Sequence, residues 1–531
     1  MKYRVFQEIY PKEVVIKCGN ISEENVLLQE TELQIGVKEE HCMTIRGIGY
    51  VVLDFGRELH ARVRILTKSV ESGSGLVRIR TGESVSESCA DLGEKNAGND
   101  HSTRDAVVTL RSLSDMEFFQ TGFRYVRLDF LEDKEISIYA IVAMSAVHAQ
   151  KQIGSFQCND ERVNKIFETA AYTLSLNIQS YIWDGIKRDR LVWVGDMHPE
   201  ILGISCLYGK HPAVEKSLRY IKNSTPLPKW MNGIPSYTAW WLIILHDYYM
   251  QNKNIRFLLG IRSYIESVYR QINEVVDEQG NVNLPKYFFD WPSCGTVDEK
   301  MGVYALWTLC AKCGIRLLSA VNADVSICEE ILRKLNHRRD FTVFEKKQCE
   351  AFLVYAGIKT AEKSVEFLTR NGAEGFSTFL SYYILKAISD AGQTEYAVKL
   401  MKQYYGGMLD MGATSFWEDF DLKWLPGSSP ITRFPTEGEK DIHGDFGQYC
   451  YKGFRHSLCH GWSCGPIQFL MKEIAGIQIL EPGCKSVKIQ PKSAGFLWYT
   501  VQYPTPYGLI QVKYSEQKFE IKLPKEIIRE Y

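Results

Sequence analysis

The chain has 531 residues, 45% of them hydrophobic and 24% charged, which is enough for about two to four domains with sizeable cores. Its 63 Lys and Arg balance 64 Asp and Glu to a formal charge of -1, with no long basic run, which argues against nucleic-acid binding through phosphate neutralisation. No stretch approaches roughly 18 uninterrupted apolar residues, so no membrane span is predicted.

Met1-Lys2-Tyr3-Arg4-Val5-Phe6-Gln7-Glu8 turns charged before any apolar run, so no secretory signal is expected. The fourteen cysteines are scattered without disulfide-scaffold spacing and read as reduced thiols of a cytoplasmic protein. Cys310-Ala311-Lys312-Cys313 is a lone C-x-x-C at the end of a helix-like run, with no second pair or spaced histidines, and is expected to supply core thiols.

Residues 1–150 read as β structure. Ala61-Arg62-Val63-Arg64-Ile65, Leu76-Val77-Arg78-Ile79-Arg80 and Phe123–Phe130 alternate apolar with polar side chains, the period of a strand with one face buried. Glu71-Ser72-Gly73-Ser74-Gly75 reads as a turn between strands. From Asn159 the period changes: Val163, Ile166, Phe167, Ala170 and Leu174 fall at helical spacing, with Asn159 and Asp160 as candidate N-caps. Helix-like segments recur to about residue 475, among them 239–245, 378–385 and 396–401, and that length suits a barrel of paired helices better than a simple bundle. Strand signals return in 476–531, with turns at Glu481-Pro482-Gly483 and Tyr503–Gly508. The expected order is therefore a multidomain α+β chain: a β domain over 1–150, a helical domain over 151–475 and a small β-sheet domain over 476–531.

The stretch Trp183-Asp184-Gly185-Ile186-Lys187-Arg188-Asp189-Arg190-Leu191-Val192-Trp193-Val194-Gly195-Asp196 holds three carboxylates, three basic side chains and two tryptophans. A sugar-cleaving pocket needs this mixture, with aromatic faces for the C–H faces of the ring and carboxylates for hydroxyls and proton transfer. The bland reading is a surface loop whose charges pair among themselves. Gly412–Asp421 again sets a tryptophan against a carboxylate: Glu418 can serve as a base toward water, or Ser415 and Glu418 can cap a helix. In His456–Pro466, adjacent Cys459 and His460 lack the further ligands of a metal site, and a hydrogen-bonding histidine at a pocket wall is expected. Tyr237–Trp241 and Tyr287–Trp291 are aromatic clusters from which Trp241 and Trp291 could line a sugar subsite. There is no phosphate-loop, nucleophile-elbow or dinucleotide signature.

With these residues in place, the chain resembles the bacterial α-L-rhamnosidases of glycoside hydrolase family 78. Their core motif, roughly D-x-P-x-R-E-R/K-L-G-W-T-G-D, is matched in register by Asp184, Arg188, Arg190, Leu191, Trp193, Gly195 and Asp196. Thr414, Trp417 and Glu418 match a later T-x-x-W-E element, and Cys459-His460-Gly461-Trp462 is the counterpart of an N-H-Y-A-like segment. Val52–Gly56 and Gly122–Val126 resemble the family's N-terminal β-sandwich, and Glu481–Gly483 and Thr505–Gly508 its C-terminal sheet domain.

The resemblance implies a central (α/α)6 helical barrel flanked by an N-terminal β-sandwich and a C-terminal β-sheet domain. It also implies an inverting exo-glycoside hydrolase that needs no cofactor, acts on a small-molecule or oligosaccharide glycoside, and leaves a homo-oligomer open. Carried over, Asp189 takes the general-acid position and Glu418 the general-base position. Asp184, Arg188, Trp193, Asp196 and His460 would hold the sugar, with Trp241 and Trp291 as looser counterparts. The family's acid is usually Glu; Asp189 sets its carboxyl about 1.5 Å further back. Ile186, Val192 and Val194 replace the usual Pro, Gly and Thr. These departures keep two alternatives open: a sugar-binding protein on an inactive hydrolase scaffold, and a hydrolase or lyase for a different sugar.

Overall fold

The computed structural model describes residues 4–38 and 41–531; Met1, Lys2 and Tyr3 of the charged amino-terminal stretch lie outside the described residues. Seven strands between Arg4 and His148 form one sheet. Its axis is the 28-residue strand Met43–Val70, which pairs antiparallel with Glu135–His148 through both ends: Met43 faces Ile138, and Ala61 faces Ser145. The sheet therefore curls until its two halves face each other. The bend falls where pairing with Ser114–Phe130 skips from Asp54 to Leu59. Gly56 takes φ +80° there, a conformation that the missing Cβ permits. The alternating apolar residues of the sequence point inward: Ile45, Leu53, Val63, Ile65, Val77, Ile79, Phe123, Val126 and Leu128 share one buried cluster. Glu71–Gly73 is the anticipated turn.

The helices come in two layers. Glu161–Asn177, Pro212–Ser224, Arg262–Glu274, Ser326–Leu335, Ala361–Thr369 and Thr394–Asp410 bury one face each and form the outer layer. Met197–Tyr208, Pro235–Asn252, Glu299–Ala320, Lys347–Tyr355 and Ser381–Asp390 are buried nearly all round. With Gly465–Gln468 and its π-helical continuation Phe469–Ile474, they close the inner ring of an (α/α)6 barrel. Asp160 caps the first helix, accepting the Arg162 and Val163 amides at 3.0 and 3.2 Å. Glu299–Ala320 is long and apolar enough to cross a membrane by composition alone, yet it is mostly buried inside the barrel. Cys310 and Cys313 lie within it as buried thiols. Rings fill the bore: Trp240 meets Phe352 at 5.2 Å and Phe379 at 6.0 Å between centroids.

Two small sheets close the carboxyl-terminal end. One holds Ile477–Ile479, Ser486–Ile489 and Ile528–Glu530; the other holds Trp498–Thr505, Gly508–Ser515 and Lys518–Lys522. The second recruits Ser155–Cys158 from just after the amino-terminal sheet, a segment that the sequence reading placed at the start of the helical domain over 151–475. Pairing covers the edge of Trp498–Thr505, and Phe156 stacks on Tyr499 at 6.2 Å. Gly154 precedes this strand. Its amide and that of Ile153 both donate to the Leu207 carbonyl, and a Cβ on Gly154 would lie 1.8 Å from the Cys206 carbonyl oxygen. Gly154→Ala is expected to cost about 1–3 kcal/mol, the usual range for overpacking, read as a lower denaturation midpoint.

Candidate active site

The inner helices begin at one mouth of the barrel, and all but one of the residues singled out from sequence meet there. The loop 184–196 crosses this mouth. Asp184 closes its first half and ties it to the segment after His460, its Oδ1 accepting the Leu191 amide at 2.8 Å and its carbonyl accepting the Gly461 amide at 2.7 Å. Arg190 reaches out to the amino-terminal sheet domain and donates to the carbonyls of Gln120 (2.8 Å) and His101 (2.6 Å). Asp189 and Arg190 take φ 53° and 56°, a left-handed pair that is costly for non-glycine residues and persists only because the surroundings over-determine it.

Asp189 is the most open of the loop carboxylates. The Trp193 indole N–H donates to its Oδ2 at 3.0 Å, while Arg188 Nη1 and His101 Nε2 lie 3.4 and 3.3 Å from Oδ1. Arg188 Nη2 makes a short ion pair with Glu418 Oε1. Glu418 Oε2 accepts the Ser457 amide at 3.2 Å, and the Glu418 amide donates to the Ser457 carbonyl at 2.9 Å. The Glu418 carbonyl accepts from Thr378 Oγ1 (2.5 Å) and the Trp462 indole (2.9 Å). His460 Nε2 lies 3.8 Å from Glu418 Oε1, its ring against Trp462 at 4.1 Å. Asp196, at the start of Met197–Tyr208, accepts the Tyr237 hydroxyl at 2.8 Å. One guanidinium thus touches both Asp189 and Glu418. Ordinary contact lengths across it bring their nearest oxygens within about 9 Å.

Residues 151–301 match the sequence profile described as the bacterial alpha-L-rhamnosidase 6 hairpin glycosidase domain. That stretch is similar to a rhamnosidase-type six-hairpin glycosidase domain. Among solved structures, the family 78 rhamnosidase of Bacillus sp. GL1 superposes with a TM-score of 0.72 at 19% identity, over 95% of this chain and 55% of that one. The Streptomyces avermitilis α-L-rhamnosidase complexed with L-rhamnose gives 0.71 at 16% identity, over 91% and 49%. The Klebsiella oxytoca rhamnosidase with rhamnose bound gives 0.65 at 18% identity, over 88% and 95%. The chain thus spans little more than half the length of the Bacillus protein. No curated protein sequence matches it.

The six-hairpin scaffold brings together Asp184, Arg188, Asp189, Trp193, Asp196, Glu418 and His460. Trp291 sits at the rim, stacked on Tyr449 at 5.4 Å and edge-on to Tyr451 at 6.1 Å. Trp241 is not in the site. It is fully buried in the helix layer, its indole donating to the Leu218 carbonyl at 3.2 Å and its ring against Tyr264. Its neighbour Trp240 faces the bore, since consecutive helix residues point about 100° apart. Around Glu418 the chain does not form a capped helix; Ser415 Oγ instead donates to the Leu458 carbonyl at 2.8 Å. Cys459 is buried and its thiol is pushed well up by burial, the opposite of an activated nucleophile.

Burial sets the charges. It pushes the carboxyls of Asp184 and Asp196 well above the usual carboxylate range, and neighbouring carboxylates add to the effect. A neutral carboxyl can donate as well as accept, which suits a sugar hydroxyl. Burial also holds His460 well below the usual imidazole range, with Arg188 acting the same way. Burial alone would lower the Arg188 pKa, but Glu418 and Asp189 outweigh it.

Sequence reading did not single out His101, Tyr237, Asp290, Asp419 or Tyr449. His101 comes from a loop of the amino-terminal domain with no local signal. Asp290 and Asp419 each flank a residue that was named, and that adjacency was the available cue. Burial raises both to about 7. The folded-state value for Asp290 lies above that of an unfolded chain. Its contribution to stability is therefore complete at low pH and is lost as pH rises toward 7. Asp290→Asn keeps an acceptor for the Ser377 hydroxyl, 2.8 Å away, and removes the titration. The variant's Tm relative to wild type should increase between pH 4 and 8; a difference that stays flat would contradict the assignment.

Proposed function

We propose that the protein is an inverting, exo-acting glycoside hydrolase of α-L-rhamnosidase type, with Asp189 as general acid and Glu418 as general base. The observation that carries this reading is the single guanidinium of Arg188 reaching both carboxylates at the mouth of a six-hairpin glycosidase barrel. Asp189 protonates the glycosidic oxygen as the bond to the anomeric carbon breaks. Glu418 takes a proton from the water that attacks that carbon from the opposite face. Inverting enzymes keep their carboxyls about 6.5–9.5 Å apart to admit this water, and a guanidinium standing between the two here is compatible with that gap. Asp184, Asp196 and His460 hold ring hydroxyls, and Trp193 covers an apolar face while orienting the acid through its indole N–H. The bound rhamnose named for the Streptomyces and Klebsiella structures supports the choice of sugar. We also propose a reducing, cytoplasmic setting, in which buried free thiols such as Cys158, Cys206, Cys310, Cys313, Cys349 and Cys464 persist.

On an aryl α-L-rhamnoside, Asp189→Asn and Glu418→Gln should each lower kcat by about 10²–10⁴-fold while the fold is retained, measured by turnover and circular dichroism. Proton NMR of the wild-type reaction should show the inverted anomer first. Wild-type-like turnover in either variant overturns the assignment, and rhamnose binding without hydrolysis would select an inactive sugar-binding scaffold instead.

A further inference from the structure

The catalytic centre leaves unexplained a cavity of about 690 Å³ at the opposite mouth of the barrel, where the far ends of the inner helices meet the strand Ile477–Ile479. That volume is typical of small-molecule sites. Three carboxylates line the cavity, and each is already paired. Asp247 lies 2.8 Å from His198 Nε2 and 2.7 Å from His246 Nδ1. Glu473 and Asp390 both bind Lys386, at 2.9 and 3.0 Å.

Four further cations line the same space without an ion-pair contact among the described residues, although Glu473 and Asp390 lie near enough to act on Lys492, and Glu473 on Lys472. Lys312 donates only to the Ala356 carbonyl (2.6 Å), and Lys492 only to Ser389 Oγ (2.8 Å). Arg316 donates to the Leu480 carbonyl at 2.9 Å and lies 3.4 Å from Met250 sulfur. Lys472 has no hydrogen bond or ion pair among the described residues. Helix dipoles favour Lys472, in the last turn of Phe469–Ile474, but do not account for Lys312 or Lys492. Their negative end acts only within the last turn, yet Lys312 sits two turns before the end of Glu299–Ala320 and Lys492 lies outside any helix. Burial lowers the pKa of both Lys312 and Lys492, so their charged forms are held at a cost that a bound anion would relieve.

We infer that this cavity is a second ligand site, separate from the catalytic mouth, which binds a small di- or trianionic molecule carrying phosphate or carboxylate groups between Lys312, Arg316, Lys472 and Lys492. The inference does not depend on which reaction the other mouth catalyses. Isothermal titration of the full chain with inorganic phosphate and, separately, with citrate would test it, in buffers matched for ionic strength with sodium chloride. The expected result is saturable one-site binding of at least one probe; which probe binds tells phosphate from carboxylate recognition. Binding should weaken tenfold or more in Lys472→Met/Lys492→Met and stay unchanged in Glu418→Gln. Arg316→Gln, at an exposed side chain of the cavity mouth, provides the same comparison if the double variant does not fold. Absence of saturable binding by both probes, or equal affinity in the folded variants, overturns the inference.

Discussion

Lys187 carries a buried ammonium on which three parts of the molecule converge. Its Nζ lies 2.9 Å from Glu83 and 3.2 Å from Glu87, both from the amino-terminal domain, and donates to the carbonyls of Phe454 (2.9 Å) and His456 (2.6 Å). Burial alone would lower its pKa, and the two glutamates more than offset this. An unpaired charge at this depth would cost several kcal/mol, so neither side can leave without the other. Glu83 also accepts the Leu458 amide at 2.6 Å, tying the segment before His460 to the same anchor. Glu83, Glu87 and His443 gather as metal ligands would, and the Lys187 ammonium supplies positive charge at that point. The loop 184–196 is thus clamped one residue before Arg188, and the amino-terminal sheet forms part of the site's foundation.

From that clamp the site grades from neutral to charged. Asp184 and Asp196, at the two ends of the loop, are buried where the protonated form is favoured; Arg188, between them in sequence, forms the ion pair with Glu418. Glu200 reinforces the arrangement from beneath. Its carboxyl is fully buried, pushed well up by burial, and packs so closely on Gly461 that a Cβ there would lie 1.8 Å from Oε1. Glycine lets this short 3-10 turn sit directly on Glu200, and its amide is the one bonded to the Asp184 carbonyl. The same backbone contact therefore sets the spacing between the loop 184–196 and His460.

What could be read from the chain depended on whether the signal was local. The period-two alternation at Ala61–Ile65 and Leu76–Arg80 marks strands buried on one face, and the helical spacing after Asn159 marks an outer helix with one buried face. The inner helices are buried all round and carry no such period, which is why Trp240 and Trp241 could not be told apart: one faces the bore, the other the outer layer. The loop 184–196 was legible because its chemistry is concentrated in consecutive residues. The His101 contact with Asp189 and the recruitment of Ser155–Cys158 are long-range pairings that leave no trace in local composition.

Aspartate rather than glutamate at position 189 fits its backbone. Two successive residues in the left-handed region turn the chain sharply beside Arg188. Aspartate enters that region more readily than most side chains, because its short polar group can hydrogen-bond locally, whereas a glutamate there would carry more of the strain. Arg190 has no such tolerance and is held instead by its two carbonyl contacts to the amino-terminal domain. The loss of one methylene in reach and the sharp left-handed turn therefore belong together. The turn decides where the carboxyl starts, and the indole of Trp193 and the guanidinium of Arg188 decide where it points.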